Sequence, residues 1–371
     1  MKILYDHQIF SLQKYGGISR YFCELYSHLH TIETIHPEIS VVYSENCYYQ
    51  ELFHQKCSLP DQKTVGKYLN FGKNIVINKI NEYHCKKQIR NGNFDVFHPT
   101  YYNPYFLKNL EKKPYVLTVY DMIHELFPDM FKGDITALHK RKVIKCATKI
   151  IAISENTKTD IIRFYDIDPK KIEVIHLATS LHLLTPDISL NPPQKYILFV
   201  GNRGVYKNFT FFINSISSLL NEEKDLYLVC AGGGAFSDAE MHLLNELKIK
   251  KQVLHYPITN DSTLSHLYRK AILFVFPSLY EGFGIPVLES FSCGCPVAAS
   301  NGSSLPEVGG EAVNYFDPNN SDSIQNVIEN IVHNDSLQDS LRTRGYERLK
   351  CFSWEKTALN TKKVYENLLS Q

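Results

Sequence analysis

The densest run of chemistry-bearing residues is Pro277-Ser-Leu-Tyr-Glu-Gly-Phe-Gly-Ile-Pro-Val-Leu-Glu289. It follows an apolar run, 272–276, that reads as a buried strand. The chain then passes Gly282 and Gly284 and enters a helix-compatible segment through Ile285 and Pro286, a residue suited to a first helical turn. A helix start offers N–H groups without partners and the positive end of a dipole, and glycines admit a ligand to the backbone. Such a turn suits an anion, most simply a phosphate. Two carboxylates bracket it. Glu281 would reach from the loop and Glu289 from the first turns of the helix, towards different parts of one ligand. The plainer alternative is a βα unit with one solvent-facing acid and one ordinary first-turn acid.

Other strand ends carry groups that such a ligand could use. After the run 196–200 comes Gly-Asn-Arg203-Gly-Val-Tyr-Lys207-Asn. Arg203 offers forked contacts and Lys207 a point charge to a diphosphate, unless the segment is only a solvated basic loop. Gly16 and Gly17 open a helix after the first strand and allow close backbone approach. The full G-x-G-x-x-G pattern is absent, which argues against a dinucleotide cofactor. His98, Tyr120, Asp121 and His124 lie at the ends of runs 95–98 and 115–120. The histidines can contact a sugar hydroxyl or serve as acid–base groups, or can be satisfied structural residues. Asp121 reads as a site residue or a helix cap. Asp166-Ile-Asp168 has the spacing of a metal-binding pair, yet it leads into a strand and reads as a turn. No metal is expected.

Elements must position these residues. Strand-like runs at 2–5, 40–43, 95–98, 115–120, 149–153 and 173–176 alternate with helical segments at 18–29, 73–89, 136–147 and 155–164. A second series follows at 196–200, 226–230, 253–256, 272–276 and 296–299. Alternation of this kind predicts two doubly wound α/β domains with parallel sheets. The polar, proline-containing stretch 185–195 separates them. Ligands of such sheets bind outside the carboxyl ends of the strands, so two facing domains would share a cleft there.

With 371 residues, 44% hydrophobic and 21% charged, the chain has ordinary globular proportions. A net charge of +1 gives no push towards nucleic acid. Residues 51–150 hold 17 Lys and Arg against 9 Asp and Glu, so an anionic partner is expected in the first half. Nine cysteines without metal spacing fit a reducing compartment. No run approaches the length of a membrane span, so a cytoplasmic protein, at most peripheral to a membrane, is expected. The segments 73–90 and 139–149 carry Lys79, Lys86, Lys87, Lys140, Arg141, Lys142 and Lys145. They read as solvated faces or as helices resting on anionic lipid.

Taken together, 277–289, Gly294-Cys-Pro-Val297 and Ser303-Ser-Leu-Pro-Glu-Val308 resemble the signature of the retaining glycosyltransferases of family four, with its E-x7-E element. Gly16-Gly17, Ile153-Ser-Glu155, Arg203…Lys207-Asn208 and Phe352-Ser-Trp354 extend the resemblance along nearly the whole chain. It implies the GT-B fold, two facing Rossmann-like domains over 1–188 and 189–351, with a final helix in 352–371 that crosses back to the first. It also implies site roles. Glu281 would lie beside the donor sugar, Glu289 on the ribose, and the backbone of Gly282, Phe283, Gly284 and Ile285 on sugar and distal phosphate. Arg203 and Lys207 would neutralise the diphosphate, with Gly16 and Gly17 close to the phosphates. Family members often carry His–Asp where this chain has Tyr120-Asp121. Asp121, His98 or His124 would then replace the histidine contact. The implied activity is metal-independent, front-face transfer of a hexose-type sugar from a GDP- or UDP-sugar to a glycan or lipid-linked acceptor. A sugar-nucleotide epimerase and a non-catalytic nucleotide-sugar-binding protein are the competing classes.

Overall fold

The computed structural model describes residues 1–53, 67–181, 185, 190–258 and 260–370, without the side chains of 67–74. They form two compact units, Met1–Leu177 with Trp354–Gln371, and Ala178–Ser353. The boundary expected between 188 and 189 lies outside the described residues.

In the first unit, β1 (Lys2–Tyr5) pairs in parallel with β2 (His36–Ile39) on one side and β3 (Val96–His98) on the other. A second parallel set has the order β4 (Val116–Val119), β5 (Lys149–Ala152), β6 (Ile172–Val174). A parallel bridge between Phe97 and Tyr115 joins the two sets, and the Phe97 amide donates to the Pro114 carbonyl at 3.1 Å. The strand expected at 40–43 lies earlier, at His36–Ile39. Val41 and Val42 have the β-branched signature, but β1 ends opposite Ile39 and leaves them no ladder. Pro37 is tolerated because β2 is an edge strand.

A buried polar chain ties the last helix, Trp354–Leu369, to this sheet. The Tyr365 hydroxyl lies 3.0 Å from that of Tyr5 and 2.7 Å from His98 Nδ1. His98 Nε2 lies 2.9 Å from Thr118 Oγ1, which meets the Tyr21 hydroxyl at 3.2 Å. His98 is 0% exposed and is ringed by Tyr5, Phe22 and Tyr365. The expectation of a substrate contact at His98 is therefore corrected. Both ring nitrogens are engaged inside the core, and the residue joins β3, β4 and the last helix.

The second unit has one six-stranded sheet. Its order is β12 (Val313–Phe316), β11 (Val297–Ser300), β10 (Leu273–Phe276), β7 (Tyr196–Val200), β8 (Tyr227–Ala231), β9 (Val253–Tyr256). All pairs are parallel. β7, β10 and β11 are buried along their whole length, as continuous apolar strands covered on both faces must be. β12 escaped the sequence reading because Asn314 interrupts its apolar run. At the sheet edge it needs only one partner.

Among the described residues no helix is long and apolar enough to cross a membrane. Of the basic side chains expected on helix surfaces, Lys79, Lys87, Arg141, Lys142 and Lys145 are exposed. Lys86 is half-buried beside Glu82. Lys140 is a correction: it is 0% exposed and paired internally, so it faces neither water nor lipid.

Burial pushes the His98 imidazole down to about 3 from its ordinary 6.5. Above pH 6.5 the ring is neutral folded or unfolded and makes no pH-dependent contribution. Below it the unfolded chain takes up a proton that the native ring refuses. Stability therefore falls by up to about 1.4 kcal/mol per pH unit between pH 6.5 and 3. Thermal unfolding between pH 7 and 5 should show this, and His98→Asn, although less stable at pH 7, should lose Tm less steeply with acid.

Candidate functional site

In the second unit the strand order reverses direction between β7 and β10, which lie side by side. The chain leaves β7 towards one edge and β10 towards the other, so a crevice opens outside their carboxyl ends. The two loops that start there are 201–208 and 277–284. The Leu279 amide donates to the Tyr206 carbonyl at 2.8 Å and ties them together.

Lys207 and Glu281 meet across these loops, Nζ to Oε1 at 2.6 Å, each side chain 13% exposed. The ammonium also lies over the rings of Phe276 and Tyr206, at 5.1 and 5.2 Å. Serines brace the loop from behind. Ser303 Oγ accepts from the Glu281 amide at 3.0 Å, and Ser304 Oγ donates to the carbonyls of Glu281 and Phe283 at 2.9 and 2.8 Å. Gly284, at φ 108°, caps the helix Ile285–Ser292, with Pro286 in its first turn. That backbone angle is open to glycine and strained for other residues. Ser278, 1% exposed, has a hydroxyl with no hydrogen-bond partner among the described residues. The sequence reading passed over it, although its place directly after β10 was a usable signal.

Arg203, expected to meet a diphosphate, is held by partners within the second unit. Its Nε donates to Glu240 Oε1 at 2.5 Å, and its terminal nitrogens reach the carbonyls of Gly232, Gly234 and Ala235 at 3.3, 3.0 and 2.9 Å. The guanidinium stacks over Phe236 at 4.7 Å, and the side chain is 4% exposed. Burial works against the Glu240 charge, but Arg203 and the Ser237 amide hold its carboxyl below the usual range. Arg203 thus organises the turn after β8, where Gly232, Gly233 and Gly234 all have positive φ. Partners 29 to 37 residues away in sequence were invisible to a local reading of charge.

Glu289 lies on the helix Ile285–Ser292 and is 7% exposed. It accepts from the Tyr268 hydroxyl at 3.3 Å. Burial, followed by the Glu289 carboxylate, raises that hydroxyl well above its ordinary pKa, so it stays a donor. Glu281 and Glu289 therefore occupy different settings, one in a largely buried ion pair between two loops and one buried on the helix.

In the first unit, Gly16 caps the helix Gly17–His30, and its carbonyl accepts from the Ser19 hydroxyl at 2.9 Å. Tyr120 is 6% exposed, with a hydroxyl that has no partner among the described residues. Asp121 is 26% exposed, and its Oδ1 accepts from the Ile123 amide at 3.0 Å. The His124 ring packs tilted against Phe131, centroids 4.1 Å apart, with Nε2 3.6 Å from Asp134 Oδ2. Asp166 closes a helix at positive φ, and Asp168 caps the turn Pro169–Lys171 through the Lys170 amide. That pair serves the backbone, as its place before a strand suggested.

Residues 185–348 match the family described as glycosyl transferases group 1, and residues 15–182 match glycosyltransferase family 4. The chain is 30% identical to O-antigen chain mannosyltransferase B of Escherichia coli over 288 residues, 74% of either chain. Sucrose-phosphate synthase from Thermosynechococcus elongatus is similar in structure, with a TM-score of 0.75 and 19% identity, over 100% of this chain and 99% of that one. HepE from Anabaena, solved with UDP and glucose, has a TM-score of 0.73 and 13% identity, over 98% and 99% of the two chains. The architecture is the GT-B fold. The chain belongs to the glycosyltransferases of that fold, and glycosyl transfer is its activity.

A Cβ on Gly233 would lie 2.6 Å from the Gly201 carbonyl oxygen and 3.0 Å from Asn202 Cα. Both are backbone atoms that cannot swing aside, and φ is +70°. Gly233→Ala should therefore destabilise the protein by about 1–3 kcal/mol in denaturant unfolding. Gly234→Ala, where the added Cβ meets nothing within 4 Å, should cost less.

Proposed function

We propose that the chain is a retaining glycosyltransferase of family four that moves a hexose-type sugar from a nucleotide diphosphate sugar to a glycan or lipid-linked acceptor in cell-surface polysaccharide synthesis. The observation that carries this reading is the Lys207–Glu281 pair at the carboxyl ends of β7 and β10, beside the start of the helix Ile285–Ser292. Breaking the sugar–phosphate bond builds negative charge on the leaving oxygen. Lys207 and the helix N–H groups, fixed in advance, stabilise that charge without a metal. Glu281 directs the ammonium and contacts the sugar hydroxyls, and Glu289 holds the ribose. Arg203 serves by shaping the glycine turn after β8. The leaving phosphate oxygen takes the acceptor proton on the same face, which keeps the anomeric configuration.

Residues of the first unit bind the acceptor, with Asp121 as the polar group and the Tyr120 hydroxyl as a donor awaiting an oxygen. Support for a surface-glycan acceptor comes from the likeness to an O-antigen chain mannosyltransferase. The exposed Lys79, Lys87, Arg141, Lys142 and Lys145 suit peripheral contact with anionic headgroups at the inner face of a membrane.

Incubation with UDP- and GDP-sugars should give slow donor hydrolysis, and transfer once a suitable acceptor is present. Glu281→Ala should reduce both by about 10²–10³-fold. Full activity in that variant would remove Glu281 from the mechanism. Release of a free 2-epimerised sugar without acceptor would favour the epimerase, and tight nucleotide binding without turnover a binding protein.

A further inference from the structure

We propose that Lys140 is a positioning residue for transfer, clamping the Tyr120–Asp121 strand end so that the Asp121 carboxylate is held ready for substrate. The proposal rests on the role given to Asp121 above.

Lys140 comes from the helix Thr136–Cys146 and is 0% exposed. Its Nζ donates to the Asp121 main-chain carbonyl at 3.0 Å and to Glu125 Oε2 at 2.8 Å, and lies 3.7 Å from Asp121 Oδ1. Glu125, 7% exposed, accepts from the Tyr165 hydroxyl with its other oxygen at 2.5 Å. Below the ammonium, at 5.3 Å, lies the Tyr102 ring. The Tyr102 hydroxyl in turn accepts from the Tyr120 amide at 3.1 Å. The Tyr120–Asp121 dipeptide is thus gripped at both ends, its amide by Tyr102 and its carbonyl by Lys140.

A core needs no such lysine. Taking an ammonium out of water is costly even when it is paired, and apolar residues of like volume commonly replace a buried ion pair without loss. What an apolar side chain could not supply is the grip on the Asp121 carbonyl and a positive charge beside its carboxylate. Asp121 Oδ1 is already committed to the Ile123 amide, which fixes the rotamer. Oδ2 has no hydrogen-bond partner among the described residues, and the side chain is 26% exposed. An aspartate so constrained presents one oxygen in one direction.

The test is a double-mutant cycle on transfer with Lys140→Met, Asp121→Asn and the combined variant, alongside calorimetric binding of UDP and GDP. Lys140→Met should lower kcat about tenfold or more, as a misplacement near the reacting groups does. Affinity for the nucleotide, whose binding residues lie in the second unit, should be unchanged. The combined variant should transfer no more slowly than Asp121→Asn alone, because Lys140 acts through Asp121. Multiplied losses in the combined variant, or an unchanged kcat in Lys140→Met, would overturn the proposal. If Lys140→Met fails to fold, Lys140→Met with Glu125→Gln leaves no buried charge unpaired and serves in its place in the same cycle. Should the unaltered protein bind neither nucleotide and transfer nothing, the glycosyltransferase site assignment fails instead. An active protein with a multiplicative cycle removes only the role of Lys140.

Discussion

The ion pair between Lys207 and Glu281 depends on one constraint, the adjacency of β7 and β10 in a parallel sheet. Those strands are more than seventy residues apart in sequence, and only the reversal of strand order brings their ends together. Parallel connections force each strand to be followed by a loop at its carboxyl end. The two loops at the reversal therefore face each other with no helix between them. Every other feature of the site refines that meeting. Leu279 ties the loops, Ser303 and Ser304 brace one of them, and Gly284 turns it into a helix.

The first unit solves a similar problem with other means. Its strand ends are held by side chains from distant elements. Asp6, just after β1, accepts from the Thr100 amide and hydroxyl at 2.8 and 2.6 Å, which fixes β1 to the end of β3. Tyr102 and Lys140 hold the end of β4, and the His98–Tyr365 bond seats the last helix. These contacts bury polar groups at a cost, which hydrogen bonding offsets. The Tyr120 and Ser278 hydroxyls are exceptions, buried without a partner among the described residues.

The fold was legible because parallel strands are apolar along their length and helices between them have a different period. β1, β7 and β9 were readable to the residue. Two edge strands were not: β2 contains a proline and β12 an asparagine, which interrupt the apolar pattern and are accommodated where one side of the strand is unpaired. The 277–289 turn was readable because its glycines, proline and acids are neighbours in sequence. Partners were not. Arg203 looked like a free cation until Glu240 and the turn after β8 came to it. His98 looked like a site residue because its partner Tyr365 is 267 positions away.

The two paired lysines show how accessibility separates binding from positioning. Lys207 and Glu281 are each 13% exposed, so the proposed donor phosphate would have access to the ammonium. The ion pair fixes where the ammonium sits. Lys140 is 0% exposed and has a carbonyl and two carboxylates around it. No ligand can reach it, and removing Glu125, its buried close carboxylate, would leave a poorly paired charge in the interior at a cost of several kcal/mol. The same side chain is thus left partly open to solvent in one unit and sealed against a backbone carbonyl in the other.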